Sequence, residues 1–165
     1  MNKFTSLEAI YEQYFHDVYR YIYSLCHHTA MTEDIVQETF YRSYDYLDSL
    51  RDGRVKPWLF KVAYHTFVDM YRKEQRHVQY AKTSKLQNTR SIEDELIIKQ
   101  GIERWLFLAN ELSDMQRNII QLRDYHHFSY DEIANLTGLT LANVKVQLFR
   151  ARKIVQKRLQ EDEDE

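Results

Sequence analysis

The sequence predicts an all-α protein of two small helical domains joined by a short linker, and three observations carry that prediction. One proline and three glycines in 165 residues leave little of the turn chemistry that β-sandwiches and barrels require. Apolar residues recur every three or four positions in several separate runs, with no strand–helix–strand alternation. A polar, basic stretch from Arg76 to Arg90 lacks that periodicity and divides the runs into two groups. Hydrophobic residues make up 44% of the chain, which favours packed cores over wholesale disorder. The expected boundaries are a first domain over 1–76, a linker over 77–91, a second domain over 92–160 and an acidic tail over 161–165.

The first helix is expected to open at Thr5, with Glu8 three residues on closing a capping box. Leu7, Ile10, Tyr11, Tyr14, Phe15, Val18, Ile22 and Leu25 give it a continuous apolar stripe. Thr32 is the expected N-cap of the second helix, with Glu33 and Asp34 in a first turn where the helix dipole favours anions. A break follows from Ser49 to Val55, around Gly53. Pro57 then lies in the first turn of a third helix, where its missing N–H costs nothing. That helix runs from Trp58 to about Gln75 and is basic at its end.

Beyond the linker, Ser91 and Asp94 mark a helix through Trp105, Leu108 and Leu112. Ser113 with Gln116 caps another, through Ile119, Ile120 and Leu122. Ser129 with Glu132 forms a further capping box, and Ile133 and Ala134 face inward behind it. Gly138 supplies the left-handed residue that ends this helix. Thr140 caps the last one, where Leu141, Val144, Leu148, Ala151 and Val155 recur at helical spacing. Its other side shows Lys145, Gln147, Arg150 and Lys153. A buried seam backed by a cationic, hydrogen-bonding face is what a recognition helix needs to enter a major groove. The closing run EDEDE repels itself and is expected to be disordered.

The formal net charge of −2 hides a strong alternation. Residues 1–50 carry 3 basic and 8 acidic side chains, residues 51–90 carry 10 and 3, residues 91–139 carry 4 and 9, and residues 140–158 carry 6 and none. Two basic blocks predict two DNA-facing surfaces, and the acidic first block predicts a basic or mixed protein partner. No apolar run approaches the ~20 residues of a membrane span, and the N-terminus lacks the charged and apolar regions of a signal peptide. The cytoplasm is the expected location. Cys26 stands alone, so no disulfide framework is expected.

No catalytic constellation, cofactor site or metal site is read from the sequence. His27 and His28, like His126 and His127, are adjacent, and neighbours on a helix point about 100° apart. Such a pair rarely chelates one ion, and neither HExxH nor CxxC occurs.

Three blocks in register carry a family resemblance: TEDIVQETFYRSY (Thr32 to Tyr44), VKPWLFKVAYHTFVDMYRK (Val55 to Lys73) and LSDMQRNIIQLRDYHHFSYDEIANLTGLTLANVKVQLFRARK (Leu112 to Lys153). From about Ile10 to Leu159 the chain resembles the extracytoplasmic-function (ECF) sigma factors of the bacterial sigma-70 family. The resemblance implies a region 2 helical bundle followed by a region 4 helix-turn-helix. It implies that the protein binds core RNA polymerase on the clamp helices of the β′ subunit through Asp34, Gln37, Glu38 and Tyr41. It implies recognition and melting of the −10 promoter element by Arg51, Arg54, Lys56, Lys61, His65, Arg72 and Lys73, with a base-capturing loop over 48–56. It implies −35 reading by Lys145, Val146, Gln147, Phe149, Arg150 and Lys153. The family often carries Asn where His65 stands, and Ser then Arg where Val146 and Gln147 stand. A valine meets a thymine methyl and a glutamine grips adenine, so an A or T is expected where relatives with Arg prefer G. The family also pairs with anti-sigma factors, often membrane-anchored. Two other readings of the residues alone are a stand-alone helix-turn-helix regulator and a helical adaptor for acidic partners.

Overall fold

A computed structural model describes residues 7–49, 52–76, 105 and 107–164. The described residues are helical or in turns, and the chain divides into two compact units, Met1–Gln87 and Asn88–Glu165. The expected linker, most of the helix from Ser91, and the capping box at Thr5 lie outside the described residues.

The first unit packs three helices against one another: α1 (Leu7–Cys26), α2 (Thr29–Ser43) and α3 (Val55–Arg76). Each pair is in contact, so the shared core is lined from three sides by Val18 and Ile22, by Ile35 and Val36, and by Leu59, Phe60 and Ala63. The predicted stripe of α1 is too narrow. Tyr19, Tyr21 and Tyr23 are buried as well, because α1 sits between two partners and is covered on more than one face. Tyr21 stacks on Phe60 with ring centroids 4.9 Å apart.

Thr32 does not cap α2. His28 does, its Nδ1 accepting from the Met31 N–H at 3.1 Å. Thr32 is buried one turn further in, and its hydroxyl donates back to the His28 carbonyl at 2.7 Å. A threonine inside a helix turns its hydroxyl onto the carbonyl four residues earlier, which is what happens here. His27 precedes the cap with a left-handed backbone, φ +49°. Two short 3₁₀ helices, Tyr44–Ser49 and Asp52–Arg54, occupy the expected break. Pro57 is the third residue of α3, still within the turn whose N–H groups have no helical partner.

In the second unit, helical backbone at Trp105, Phe107 and Leu108 gives way to a turn, so Leu112 lies beyond that helix rather than in it. Then come α4 (Asp114–Ile120), α5 (Tyr130–Thr137) and α6 (Leu141–Glu163). Both capping boxes, Ser113/Gln116 and Ser129/Glu132, form with both reciprocal bonds. α4 continues as a π-helical turn, Gln121–Tyr125, closed by His126 N–H donating to the Gln121 carbonyl at 3.0 Å. The wider turn ends at His127, which is left-handed with φ +62°. Arg123 pins this corner, donating to the Phe128 carbonyl at 2.9 Å with its guanidinium 4.5 Å from the Tyr130 ring.

Gly138 ends α5 with φ +78° and its N–H on the Ala134 carbonyl, and Thr140 caps α6 by accepting from Asn143 N–H at 3.1 Å. Val144, Leu148 and Ala151 are buried as expected, whereas Leu141 is exposed and Ala134 and Val155 are only half-buried. Leu141 is the first residue of α6, where little of the helix packs around it. The acidic run is not disordered in its first part: α6 continues through Glu163. Adding a residue to a formed helix costs far less than starting one, and this outweighs the mutual repulsion of the acids.

Candidate functional site

Three surfaces answer to the predicted site residues, two on the first unit and one on the second. On α2, Ile35, Val36, Thr39 and Phe40 turn into the core, which forces Asp34, Gln37 and Tyr41 outward with Glu38 half-buried beside them. Tyr41 is 78% exposed, an unusual position for a large aromatic ring. Glu38 is not an open carboxylate: Arg42, one turn on, donates to it at 3.0 Å and also lies 3.5 Å from Asp69 of α3. Partial burial pushes the Asp34 carboxyl above its ordinary range, and nearby His28 offsets this in part. The outward face therefore holds one acid with a raised pKa, one paired acid, an amide and an aromatic ring.

The expected −10 residues do not all share one face. Lys61 and His65 are four residues apart and lie on one side of α3, His65 exposed and Lys61 half-buried. Arg54, just before α3, and Lys73, near its end, are exposed. Lys56 departs from the set, because its ammonium lies 5.7 Å from the ring of buried Phe60. At about 100° per residue it falls roughly 140° from Lys61 around the helix. Arg51 lies outside the described residues, as do the side chains of Asp48 and Arg72. Leu59 is buried in the core, while Trp58, Val62 and Phe67 are half-buried. The Trp58 ring packs 5.5 Å from Tyr46, and Tyr44 and Tyr46 on the first 3₁₀ helix are exposed aromatics that periodicity did not single out.

On α6, Lys145, Val146, Phe149, Arg150 and Lys153 are all exposed, and Gln147 is half-buried at the margin. Val146 and Phe149 stand 44% and 60% exposed among these cations. Lys153 holds its ammonium 4.7 Å from the Phe149 ring, and Lys145 lies 5.9 Å from the Tyr130 ring of α5. An exposed array of cations, an amide and apolar groups on a helix held by an N-terminal cap matches what a major groove presents: phosphates, base edges and thymine methyls. Two cations of the same block point elsewhere. Arg152 pairs with Asp124 through both carboxylate oxygens, a bond that raises its already high pKa. Arg158 lies against the Phe107 ring and 3.6 Å from Glu111. Both fasten α6 to its own unit.

The helical continuation also fixes the acidic end. Glu161 is fourteen residues beyond Gln147 on one helix, so a rise of 1.5 Å per residue separates them by roughly 20 Å. Residues 161–163 continue the axis of α6 beyond the exposed array, whose last member, Lys153, is eight residues before Glu161. Among the described residues no group of three or more His, Cys, Asp or Glu could hold a metal ion, and no helix is long and apolar enough to cross a membrane. Each histidine pair lies at a turn between helices, with His27 and His127 left-handed.

Comparison with known proteins agrees over nearly the whole chain. Residues 10–77 match Sigma-70 region 2 and residues 102–155 match Sigma-70, region 4. The chain is 34% identical over 152 residues to the ECF RNA polymerase sigma factor SigM of Bacillus subtilis, covering 90% of this chain and 91% of that one. It is 27% identical to the RNA polymerase sigma factor YlaC of the same organism, over 97% of this chain and 95% of that one. Among solved structures, the sigma factor RpoE in complex with the anti-sigma factor NepR from Bartonella quintana superposes with a TM-score of 0.69 at 25% identity, covering 93% of this chain and 96% of that chain.

Proposed function

The chain belongs to the ECF sigma factors of the sigma-70 family, and from that premise we propose which of its surfaces does each part of the work. Sigma factors bind core RNA polymerase and direct promoter-specific initiation. They are not enzymes, and the polymerase supplies the chemistry.

Docking falls to the outward face of α2: Asp34, Gln37, Glu38 and Tyr41. The observation that carries this is the division of the helix, with Ile35, Val36, Thr39 and Phe40 buried, Asp34, Gln37 and Tyr41 exposed and Glu38 half-buried at the edge. Such a face suits the β′ clamp helices of the polymerase. Arg54, Lys61, His65 and Lys73, with Arg51, Arg72 and the residues around Gly53, face the −10 element. Lys56 has a lesser part there, since its ammonium rests on Phe60. Lys145, Val146, Gln147, Phe149, Arg150 and Lys153 face the −35 element. The protein works in the cytoplasm, where its polymerase and promoters are. An anti-sigma factor holds it inactive until an envelope signal arrives, a reading supported by the likeness to a sigma factor solved with its inhibitor.

Charge reversal tests the docking face. Asp34→Arg and Glu38→Arg are each titrated against purified core polymerase, with far-UV circular dichroism to check the fold. Asp34→Arg is expected to weaken association at least about ten-fold, as a like charge facing a basic partner does, with unchanged helicity. Unaltered affinity for both variants would place the docking surface elsewhere.

A further inference from the structure

We infer that Gln116, which lies outside the exposed array of α6, is a positioning residue for promoter recognition: it fixes the orientation of the Gln147 amide. The inference rests on the reading of Gln147 as a base-contacting residue. Its starting point is one backbone group. The Ser113 N–H can only donate, and it donates to Gln116 Oε1 at 3.1 Å as half of the α4 capping box. The other end of the Gln116 amide must therefore be its NH₂, which donates to Gln147 Oε1 at 3.2 Å across 31 positions of sequence. Gln147 in turn has its Nε2 directed at Asn143 Oδ1, at 3.4 Å. Every amide in the chain Ser113–Gln116–Gln147–Asn143 has its oxygen and nitrogen ends assigned by the first donor.

Helix geometry explains why Gln147 alone receives this treatment. Taking Lys145 as the origin and about 100° per residue, Phe149, Lys153, Val146 and Arg150 fall within roughly 140° of it, and buried Ala151, Val144 and Leu148 occupy the arc beyond about 240°. Gln147 falls at about 200°, on the margin, where α4 packs against α6. It is close enough to α4 to be held and far enough out to reach a groove.

The engaged atoms leave one lone pair on Gln147 Oε1 and one hydrogen on Nε2. Those are the two functions that adenine takes at N6 and N7. A free glutamine loses rotamer freedom on binding a base; one already fixed loses less. The relay therefore sharpens the choice of adenine without touching DNA.

The test uses the full chain with core polymerase on a pool of promoters varied through the −35 element, reading the base preference of each variant. Gln116→Glu still offers the Ser113 N–H an oxygen acceptor, now of a carboxylate, but can only accept from Gln147. It turns the amide end for end while preserving the cap. The expected result is unchanged thermal stability and a loss of roughly ten-fold in preference for A at one −35 position, the size of one misdirected amide contact. Gln116→Leu is expected to lose preference at that same position. If Gln147→Ala abolishes the preference and Gln116→Glu leaves it intact, the relay is overturned while Gln147 remains the reader. If Gln147→Ala leaves every base preference unchanged, base contact by Gln147 fails, and the relay with it.

Discussion

Replacing Gly138 with alanine isolates the cost of one backbone angle. Gly138 holds φ at +78°, and a Cβ built there meets nothing within 4 Å. Steric clash with neighbours is therefore absent, and the penalty is the intrinsic strain of a left-handed alanine, about 1–2 kcal/mol. For a unit of this size each kcal/mol moves the midpoint by roughly 4–8 °C, so a fall of about 5–15 °C is expected. Gly53 is the internal control: a Cβ there also meets nothing within 4 Å, and its φ is not left-handed. Gly53→Ala is expected to be neutral or to stabilise by up to about 1 kcal/mol, through the unfolded chain. The chain has two tryptophans, Trp58 in one unit and Trp105 in the other. Fluorescence-detected melting in Trp58→Phe and Trp105→Phe backgrounds reads each unit separately. Asn is the best-tolerated left-handed side chain after glycine, so Gly138→Asn should recover part of the loss. Equal midpoint shifts, each taken from its own unit's parent, for Gly138→Ala and Gly53→Ala would refute the claim that this turn depends on a left-handed residue. A loss beyond about 4 kcal/mol would mean a clash that the geometry does not contain.

Three further outcomes follow from single contacts. Asp34 has a raised pKa in the folded state, so it binds its proton more tightly there than in the unfolded chain. Stability attached to this group is present below pH 3.8 and is lost as pH rises through that unfolded value to the folded one. Asp34→Asn should remove that slope from urea midpoints measured across the acid range, and at neutral pH should not lower stability. Arg152→Ala and Asp124→Ala, combined in a double-mutant cycle of chemical unfolding, should show a coupling of about 0.5–1 kcal/mol, since the pair is bidentate but half-exposed. Deleting residues 161–165 should leave −35 DNA affinity in fluorescence anisotropy within about two-fold at fixed salt, because residues 161–163 extend the axis of α6 beyond the reading face. A marked gain in affinity would show that the tail screens it.

How much of this was legible in the sequence depended on the range of the interaction. Ser113, Ser129, Thr140 and Gly138 act on backbone groups within four residues, and all four perform the predicted cap. The same rule misassigned Thr32, because a hydroxyl that faces a free N–H at a helix start also satisfies a carbonyl inside a helix. His28 has an acceptor nitrogen of similar reach, yet histidine is not among the favoured caps. His27 and His127 adopt the left-handed backbone that a sequence reader reserves for glycine or asparagine. The three blocks in register pointed to the right family, and the burial of Val144, Leu148 and Ala151 followed from helical spacing, whereas Leu141 and Val155 on the same stripe are not buried. Tertiary contacts were not legible. The π-turn at Gln121–Tyr125, the burial of Tyr19, Tyr21 and Tyr23, the withdrawal of Lys56 and the Gln116–Gln147 bond all depend on what packs alongside. Periodicity along one segment carries no information about its neighbours.

Run-off transcription with purified core polymerase tests the central claim most directly. On a template bearing the cognate −35 and −10 elements, core enzyme alone should give no defined transcript, and added chain should produce one from a single start site. Asp34→Arg should reduce it at the concentration where the parent chain just saturates, and at least about ten times more of the variant should be needed to restore it. A transcript that is independent of the chain, or promoter binding by the chain alone as tight as in the presence of polymerase, would contradict the account.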